Sequence, residues 1–240
     1  MRWSYTLFVA AMVASTLGCS EEDVDSTSIR TSGMSAEVEI VSQGSDVKVH
    51  VDLRVGDHDR SNVVVNLTGG DELVAEAEGD RITLSGHDGD YSATFREVGA
   101  AETEFAIEFL RTDADESALD TRVTLPEGFT LSGIEPGATV LRSETTTVSW
   151  DPPGSSDTMR WRLDGTEVGC IGEEHGTMSD NGRLSLTGGN YDVWPGDEDE
   201  TCEVELTIER ERAGRLDPAF GEGGSVVAIQ RRSIRFVSAP

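Results

Sequence analysis

The sequence predicts an all-β protein in which two tandem antiparallel β-sandwich domains follow a signal peptide and an acidic tether. Three observations lead to this fold class. Apolar and polar residues alternate in many short segments, glycine- and aspartate-containing turns separate these segments at intervals of about ten residues, and helical periodicity is confined to residues 113–119. Strands at this spacing without intervening helices are typical of antiparallel sandwiches.

The first domain is predicted over residues 34–127. Its clearest strand is Val47–Val55, where five apolar residues alternate with Lys48, His50, Asp52 and Arg54. This period of two is typical of a strand with one buried face. Similar but shorter alternation marks residues 37–40, 91–95 and 105–109, and turn residues separate the segments at 69–71, 78–80 and 86–90.

The second domain is predicted over residues 128–240, after the Pro126-Glu127-Gly128 turn. Alternating apolar residues again predict half-buried strands. They include Val148/Trp150, Met159/Trp161/Leu163, Leu184/Leu186, Val204/Leu206/Ile208 and Ile234/Phe236. The boundary divides the chain after residue 33 into two pieces of the size usual for small sandwich domains.

The N-terminal residues are predicted to be an export signal. Arg2 is the only charged residue before an apolar run over residues 5–17, which ends at Gly18-Cys19. A helix of about 13 residues is too short to cross a hydrocarbon layer about 30 Å thick, since it rises about 1.5 Å per residue. Residues 1–18 are therefore predicted to be a signal peptide.

The segment Thr16-Leu17-Gly18-Cys19 resembles the lipobox of bacterial lipoproteins. The resemblance implies cleavage before Cys19 and lipid attachment to that cysteine, which would hold the protein on a membrane of the cell envelope. Ser20 follows the lipidated position, and by the same resemblance its identity implies the outer membrane. Acidic and hydroxyl residues over 19–33 predict a flexible tether between the lipid and the first domain.

The three cysteines divide into one lipid site and one pair. If Cys19 carries lipid, Cys170 and Cys202 are left as an even pair in an oxidising compartment, which predicts a disulfide between them. The alternative, that the pair binds a metal, lacks the CxxC or CxxH spacing of common zinc sites.

The segments Thr147-Val148-Ser149-Trp150-Asp151-Pro152-Pro153 and Met159-Arg160-Trp161-Arg162-Leu163 resemble the second and third strands of fibronectin type III and related immunoglobulin-like domains. The resemblance implies that Trp150 is a core residue and that both sandwiches are immunoglobulin-like. The whole layout resembles that of uncharacterised bacterial envelope lipoproteins. A glycine-rich segment, 214–224, occurs once and is predicted to be a loop anchored by Phe220.

No common catalytic motif is present: the sequence lacks GxSxG, HExxH, a P-loop and a dinucleotide-binding GxGxxG. The four histidines, His50, His58, His87 and His175, are each expected to be exposed. The chain carries 46 acidic against 19 basic residues, a net charge of -27. Such a charge repels polyanions, so no nucleic-acid partner is expected.

Two carboxylate clusters are candidate Ca²⁺ sites. Asp113-x-Asp115-x-Ser117 begins like an EF-hand loop, but Ala118 replaces the turn glycine and Thr124 replaces the closing glutamate. Asp57 and Asp59 form the second cluster. The alternative for each is hydrated loop charge that contributes only solubility.

Burial in the core is the favoured interpretation of Tyr191 and Trp194, but their glycine and proline neighbours make them the best candidates for an exposed recognition loop. The leading functional hypothesis is a noncatalytic, lipid-anchored envelope protein that serves as a structural or protein-binding module for an envelope protein or glycan. The alternative is a calcium-dependent adhesion or carbohydrate-binding module. A hydrolase acting on envelope material is the third hypothesis.

Overall fold

The computed structural model describes residues 22–99, 102–112, 116–166 and 171–240. These residues form eighteen strands joined by turns and short 3-10 segments, so the predicted all-β class is confirmed. The strands are β1 (Glu22–Asp25), β2 (Met34–Ser42), β3 (Val47–Val55), β4 (Val63–Asn66), β5 (Glu72–Ala77), β6 (Asp80–Thr83), β7 (Ser85–His87), β8 (Asp90–Phe95), β9 (Glu104–Leu110), β10 (Ala118–Thr124), β11 (Thr130–Ser132), β12 (Thr139–Leu141), β13 (Thr146–Asp151), β14 (Thr158–Gly165), β15 (Glu174–Met178), β16 (Arg183–Leu186), β17 (Cys202–Ala213) and β18 (Ser225–Ala239). In the described part of the chain, no helix is both long and apolar enough to span a bilayer.

The first module packs a four-stranded sheet, β10-β9-β5-β6, against a sheet that contains β8, β3, β2 and the first half of β18. The inward residues of both sheets form one hydrophobic core. Phe95 and Phe105 meet in it edge to face, with ring centroids 5.4 Å apart. The alternation in β3 places Val47, Val49, Val51 and Leu53 in this core and Lys48, His50 and Asp52 on the outer face.

The second module packs the sheet β11-β13-β16 against β15, β14, β17 and the second half of β18. Strand β12 pairs in parallel with the end of β18. This division of strands between two sheets, in this chain order, is that of an immunoglobulin-like sandwich. Trp150 is buried in the second core, as the sequence predicts, and Trp161 is half-buried against the same core.

One sheet runs through both modules. Strands β17 and β18 pair without interruption from Cys202↔Ser238 to Ala213↔Val227. The first part of β18 also pairs in parallel with β2, from Ser225↔Glu37 to Gln230↔Ser42. Strand β18 therefore belongs to the sandwich of each module, and β17 stays paired with it along its whole length.

This pairing changes the predicted domain division. Phe220, Val226 and Ala228 lie in the first core, although the sequence analysis placed them in a second domain of residues 128–240. The first module is thus completed by residues from the end of the chain. Alternation within β18 shows which residues are buried, but it carries no information about which strand lies alongside.

The predicted tether is folded over its described part, residues 22–33. Strand β1 pairs in parallel with β4. The nearly buried Arg111 side chain donates hydrogen bonds to the carbonyl oxygens of Ser26 (2.6 Å) and Ile29 (2.9 Å), and it pairs with Asp71. The expectation of a flexible tether is therefore wrong for these residues, because the guanidinium supplies partners for their backbone that no local pattern indicates.

Buried polar contacts fill the junction between the modules. Arg210 on β17 is fully buried and donates 2.6 Å hydrogen bonds to the carbonyl oxygens of Glu127 and Pro152. Its guanidinium also lies 2.9 Å from the buried Asp180 carboxylate. The Phe129 ring contacts Arg210 and Arg232, whose guanidinium carbons are 5.1 and 5.6 Å from its centroid. Cation–π contacts of this kind hold Phe129, at the start of the second module, against β17 and β18.

Candidate functional site on the outer face of the shared sheet

The outer face of the shared sheet is a charged surface. Period-two alternation directs Lys48, His50 and Asp52 of β3 to this face, and the pairing with β2 places Glu39 opposite His50 and Glu37 opposite Asp52. Directly opposed charges on neighbouring strands interact favourably when their signs differ. Glu39 and His50 form a pair of this kind, whereas Glu37 and Asp52 carry like charges and contact His58 from opposite sides.

A cleft of about 500 Å³ opens on this face. Its walls come from β2, β3, β8 and β18 and carry charges of both signs. The lining residues are Glu39, Val41, Gln43, Asp46, Lys48, His50, Thr94 and Arg231. Lys48 is the single lysine of the chain. The cleft therefore offers charges of both signs together with apolar surface.

The turn after β3 folds back over the same face and buries His58. Its side chain is 10% exposed, with Nδ1 3.3 Å from Glu37 Oε1 and Nε2 3.4 Å from Asp52 Oδ2. The expectation that His58 is exposed is therefore wrong. Asp57 and Asp59 on either side suggest a hydrated turn, but the carboxylates that cover the ring stand on β2 and β3.

Asp59, one of the predicted cation ligands, lies close to two residues that were not predicted to share its site. Ligand atoms of Glu37, His58 and Asp59 all lie within 4.8 Å of one another. Asp57 has a different role: its carboxylate accepts the backbone N–H of Asp59 and lies 3.6 Å from the Arg60 guanidinium. In the sequence, a histidine between two aspartates indicates a possible cation site. Glu37 could not be predicted as part of it, because Glu37 is distant in sequence.

Two neighbours fix the geometry of this turn. Arg54 donates to Asp52, with Nη2 3.0 Å from Oδ2, and so holds the carboxylate that faces His58. Gly223, with φ +87°, packs so closely that a Cβ there would lie 2.7 Å from Asp57 Oδ1. The glycine-rich segment is thus a loop, as predicted, and Phe220 anchors it by stacking on Phe109 at 6.0 Å.

Several of the other predicted site residues lie outside the described part of the chain. Asp113 and Asp115 lie outside the described residues, and the Ser117 hydroxyl accepts the backbone N–H of Arg111 at 3.0 Å. Calcium binding at this segment stays a prediction. Cys19 and Cys170 also lie outside the described residues, so the lipid site and the disulfide stay predictions too.

The candidate recognition loop of the second module contains Tyr191 and Trp194. Tyr191 is 6% exposed and belongs to the second core, where burial raises the pKa of its phenol, so of the two alternatives burial holds for this residue. Trp194 is 53% exposed, so the exposed alternative holds for it. Cys202 is buried in the same core, with its sulfur 3.9 Å from Arg142 Nη1. The loop therefore presents one aromatic ring to solvent, not two.

The histidines of the described residues are paired with carboxylates. Besides His58, His50 lies 2.9 Å from Asp90, His87 lies 2.7 Å from Asp88, and His175 lies 3.6 Å from Glu173. A histidine that activates a nucleophile needs a hydroxyl or thiol within hydrogen-bond reach. In the described part of the chain, these contacts are all to carboxylates.

Comparisons with known proteins find matches among solved structures. No protein-family model and no curated protein matches the chain. Among solved structures, the chain is similar to the FN1–FN3 domains of chicken CNTN1, at 12% identity and TM-score 0.28 over 88% of this chain and 71% of that one. It is similar to the IG1 and IG2 domains of DIP-gamma, at 8% identity and TM-score 0.25 over 85% and 97%. It is also similar to the Ig1–Ig3 ectodomain of mouse nectin-like molecule 4, at 13% identity and TM-score 0.26 over 87% and 65%.

Proposed function

We propose that this chain is an exported, noncatalytic protein, held on the outer membrane of a bacterial cell envelope by lipid at Cys19, that serves as a rigid structural or protein-binding module. The observation that carries the proposal is the single sheet through both modules. Hinge motion between them would have to bend β17 and β18 in the middle of their uninterrupted ladder. Modules that meet through a small interface usually move relative to each other, and a shared sheet prevents such motion.

A partner protein accounts for the exposed surface better than a glycan does. The cleft combines charges of both signs, and such surfaces select partners by electrostatic complementarity. Sugar binding uses aromatic platforms, and burial of Tyr191 leaves Trp194 alone in the predicted recognition loop. We therefore place the partner-binding surface on the outer face of the first module.

Metabolic labelling tests the lipid anchor. Cells expressing the full-length chain are grown with radiolabelled palmitate, and the protein is purified from the membrane fraction. Label should be lost in Cys19→Ala and retained in the matched control Cys170→Ala. Equal labelling of the wild type and Cys19→Ala would contradict the anchor.

Site-specific photocrosslinking in the intact envelope tests the binding surface. A crosslinking residue at Thr94, in the cleft, should yield a defined protein adduct. The same residue at Glu72, which is exposed on β5 in the other sheet of this module, should not. The Thr94 adduct should also weaken when Lys48 and Arg231 are changed to glutamate. Equal adducts from both positions, or none, would reject this surface.

A further inference from the structure

We infer that Glu37, His58 and Asp59 form a binding site for a divalent transition metal of the zinc class, with Asp52 orienting the histidine. The three side chains come from β2 and from the turn after β3. Among the described residues they are the one grouping of three metal-ligating side chains whose ligand atoms lie within 4.8 Å of one another.

The state of His58 points to a ligand. The ring is nine-tenths buried between two carboxylates, and Nε2 makes no hydrogen bond. A neutral imidazole donates from one nitrogen only, so its other nitrogen would direct a lone pair at a carboxylate oxygen. A second proton or a metal cation relieves this repulsion, and a metal on Nδ1 leaves the ring proton on Nε2, which faces Asp52.

The distance between Glu37 and His58 fits a tetrahedral ion. Ligand atoms about 2.0–2.1 Å from zinc lie about 3.3 Å apart in tetrahedral geometry. Glu37 Oε1 and His58 Nδ1 are 3.3 Å apart. Asp59 is exposed at the end of the turn, so rotation of its side chain can bring a third oxygen to the ion. The fourth position is then left to solvent.

The outer contacts match those of metal-binding histidines. Such a histidine usually presents its second nitrogen to a carboxylate, which fixes the ring. Nε2 of His58 faces Asp52 at 3.4 Å, and Arg54 holds Asp52 in place. Metal therefore belongs on Nδ1, on the Glu37 side of the ring.

The ligand types and the local charge select the metal class. One imidazole with two carboxylates suits zinc, nickel or cobalt better than calcium or magnesium, which prefer oxygen alone. Four carboxylates and two guanidinium groups lie on this turn and the adjacent strands, an excess of negative charge that attracts a dication. They are Glu37, Asp52, Asp57 and Asp59 against Arg54 and Arg60.

Equilibrium dialysis of the full-length chain in detergent against Zn²⁺ alone, with metal measured by mass spectrometry, tests the site. The wild type should bind one Zn²⁺ that a large excess of Ca²⁺ does not displace. His58→Asn should abolish this binding, Glu37→Gln and Asp59→Asn should each weaken it at least about tenfold, and Asp52→Asn should weaken it about 10–100-fold.

His87→Asn is the matched control, because His87 is an exposed histidine beside one aspartate, and it should bind as the wild type does. Circular dichroism of the metal-free variants separates loss of ligand from loss of fold, and Asp59→Asn alters only an exposed side chain. A shift of the Nδ1 resonance of His58 in ¹⁵N NMR on zinc addition would place the metal on that nitrogen. Absence of saturable zinc binding, equal binding by His58→Asn, or displacement by equimolar Ca²⁺ would overturn the inference.

Discussion

A buried charge destabilises a protein unless it is both paired and hydrogen-bonded, and Asp180 meets both conditions. Its carboxylate accepts hydrogen bonds from Trp150 Nε1 (2.6 Å) and from the Ser155 hydroxyl (2.6 Å), and it lies 2.9 Å from Arg210. Burial raises the pKa of this carboxyl, but the Ser155 and Trp150 hydrogen bonds and the Arg210 charge outweigh that effect and leave the pKa below its usual value. Asp180 thus ties the second core to the junction.

Asp180→Ala should lower the free energy of unfolding by about 3–5 kcal/mol at pH 7, because it leaves Arg210 buried without its partner. Urea denaturation measures the change. Asp164→Ala is the matched control, since Asp164 is 41% exposed and 3.7 Å from Arg162, and surface pairs contribute at most about 1 kcal/mol. Equal effects of the two substitutions would contradict the role of Asp180.

The pH dependence of the stabilisation by Asp180 follows from the direction of its pKa shift. Because folding lowers the pKa of Asp180 from 3.8, its stabilisation is complete above that value and is lost as pH falls through the lower value of the folded state. The stability difference between wild type and Asp180→Asn should therefore stay constant from neutral pH to about pH 4 and narrow only below it. Narrowing near neutrality would contradict this assignment.

At the scale of the element, the turn after β3 depends on a glycine in a distant loop. Gly223 has φ +87°, and a Cβ there would lie 2.7 Å from Asp57 Oδ1 and 3.0 Å from Asp57 Cα. The side-chain oxygen could move, but the backbone atom could not without displacing the turn. Close packing therefore requires glycine here in addition to the positive φ.

Gly223→Ala should destabilise the protein more than Gly137→Ala does. Gly137 has a similar φ, +77°, but open space where a Cβ would stand, so its substitution should cost only the backbone strain of about 1–2 kcal/mol. Gly223→Ala should lose the same amount of stability to backbone strain and a further amount because Asp57 must be displaced. Thermal denaturation of both variants measures the difference, and equal losses would show that the contact with Asp57 contributes nothing.

Individual strands were predictable from the sequence, whereas their neighbours were not. Alternation located β3, β14, β17 and β18, because burial on one face of a strand leaves a period of two. Nothing local indicates that β18 lies beside β2, since parallel pairing joins residues far apart in the chain. The proposed metal site was likewise predictable only in part. The sequence of the turn indicated Asp59 as a ligand, but the position of Glu37 and the burial of His58 depend on the register between β2 and β3.

At the scale of the whole molecule, the central claim is that two sandwiches form one cooperative body through β17 and β18. Phe236 provides a way to disturb one module only. It lies on β18, is fully buried in the second core, and has no part in the first core. Truncation of a buried phenylalanine to alanine typically costs about 3–5 kcal/mol.

Native-state hydrogen exchange of Phe236→Ala tests this claim most directly. The reporters are the slowest amides of β5 in the first module and of β13 in the second, because neither strand is part of the shared sheet. Exchange limited by global unfolding should accelerate in both strands by the same factor, roughly a hundredfold or more. Acceleration in β13 with unchanged exchange in β5 would show two independent domains and contradict the account.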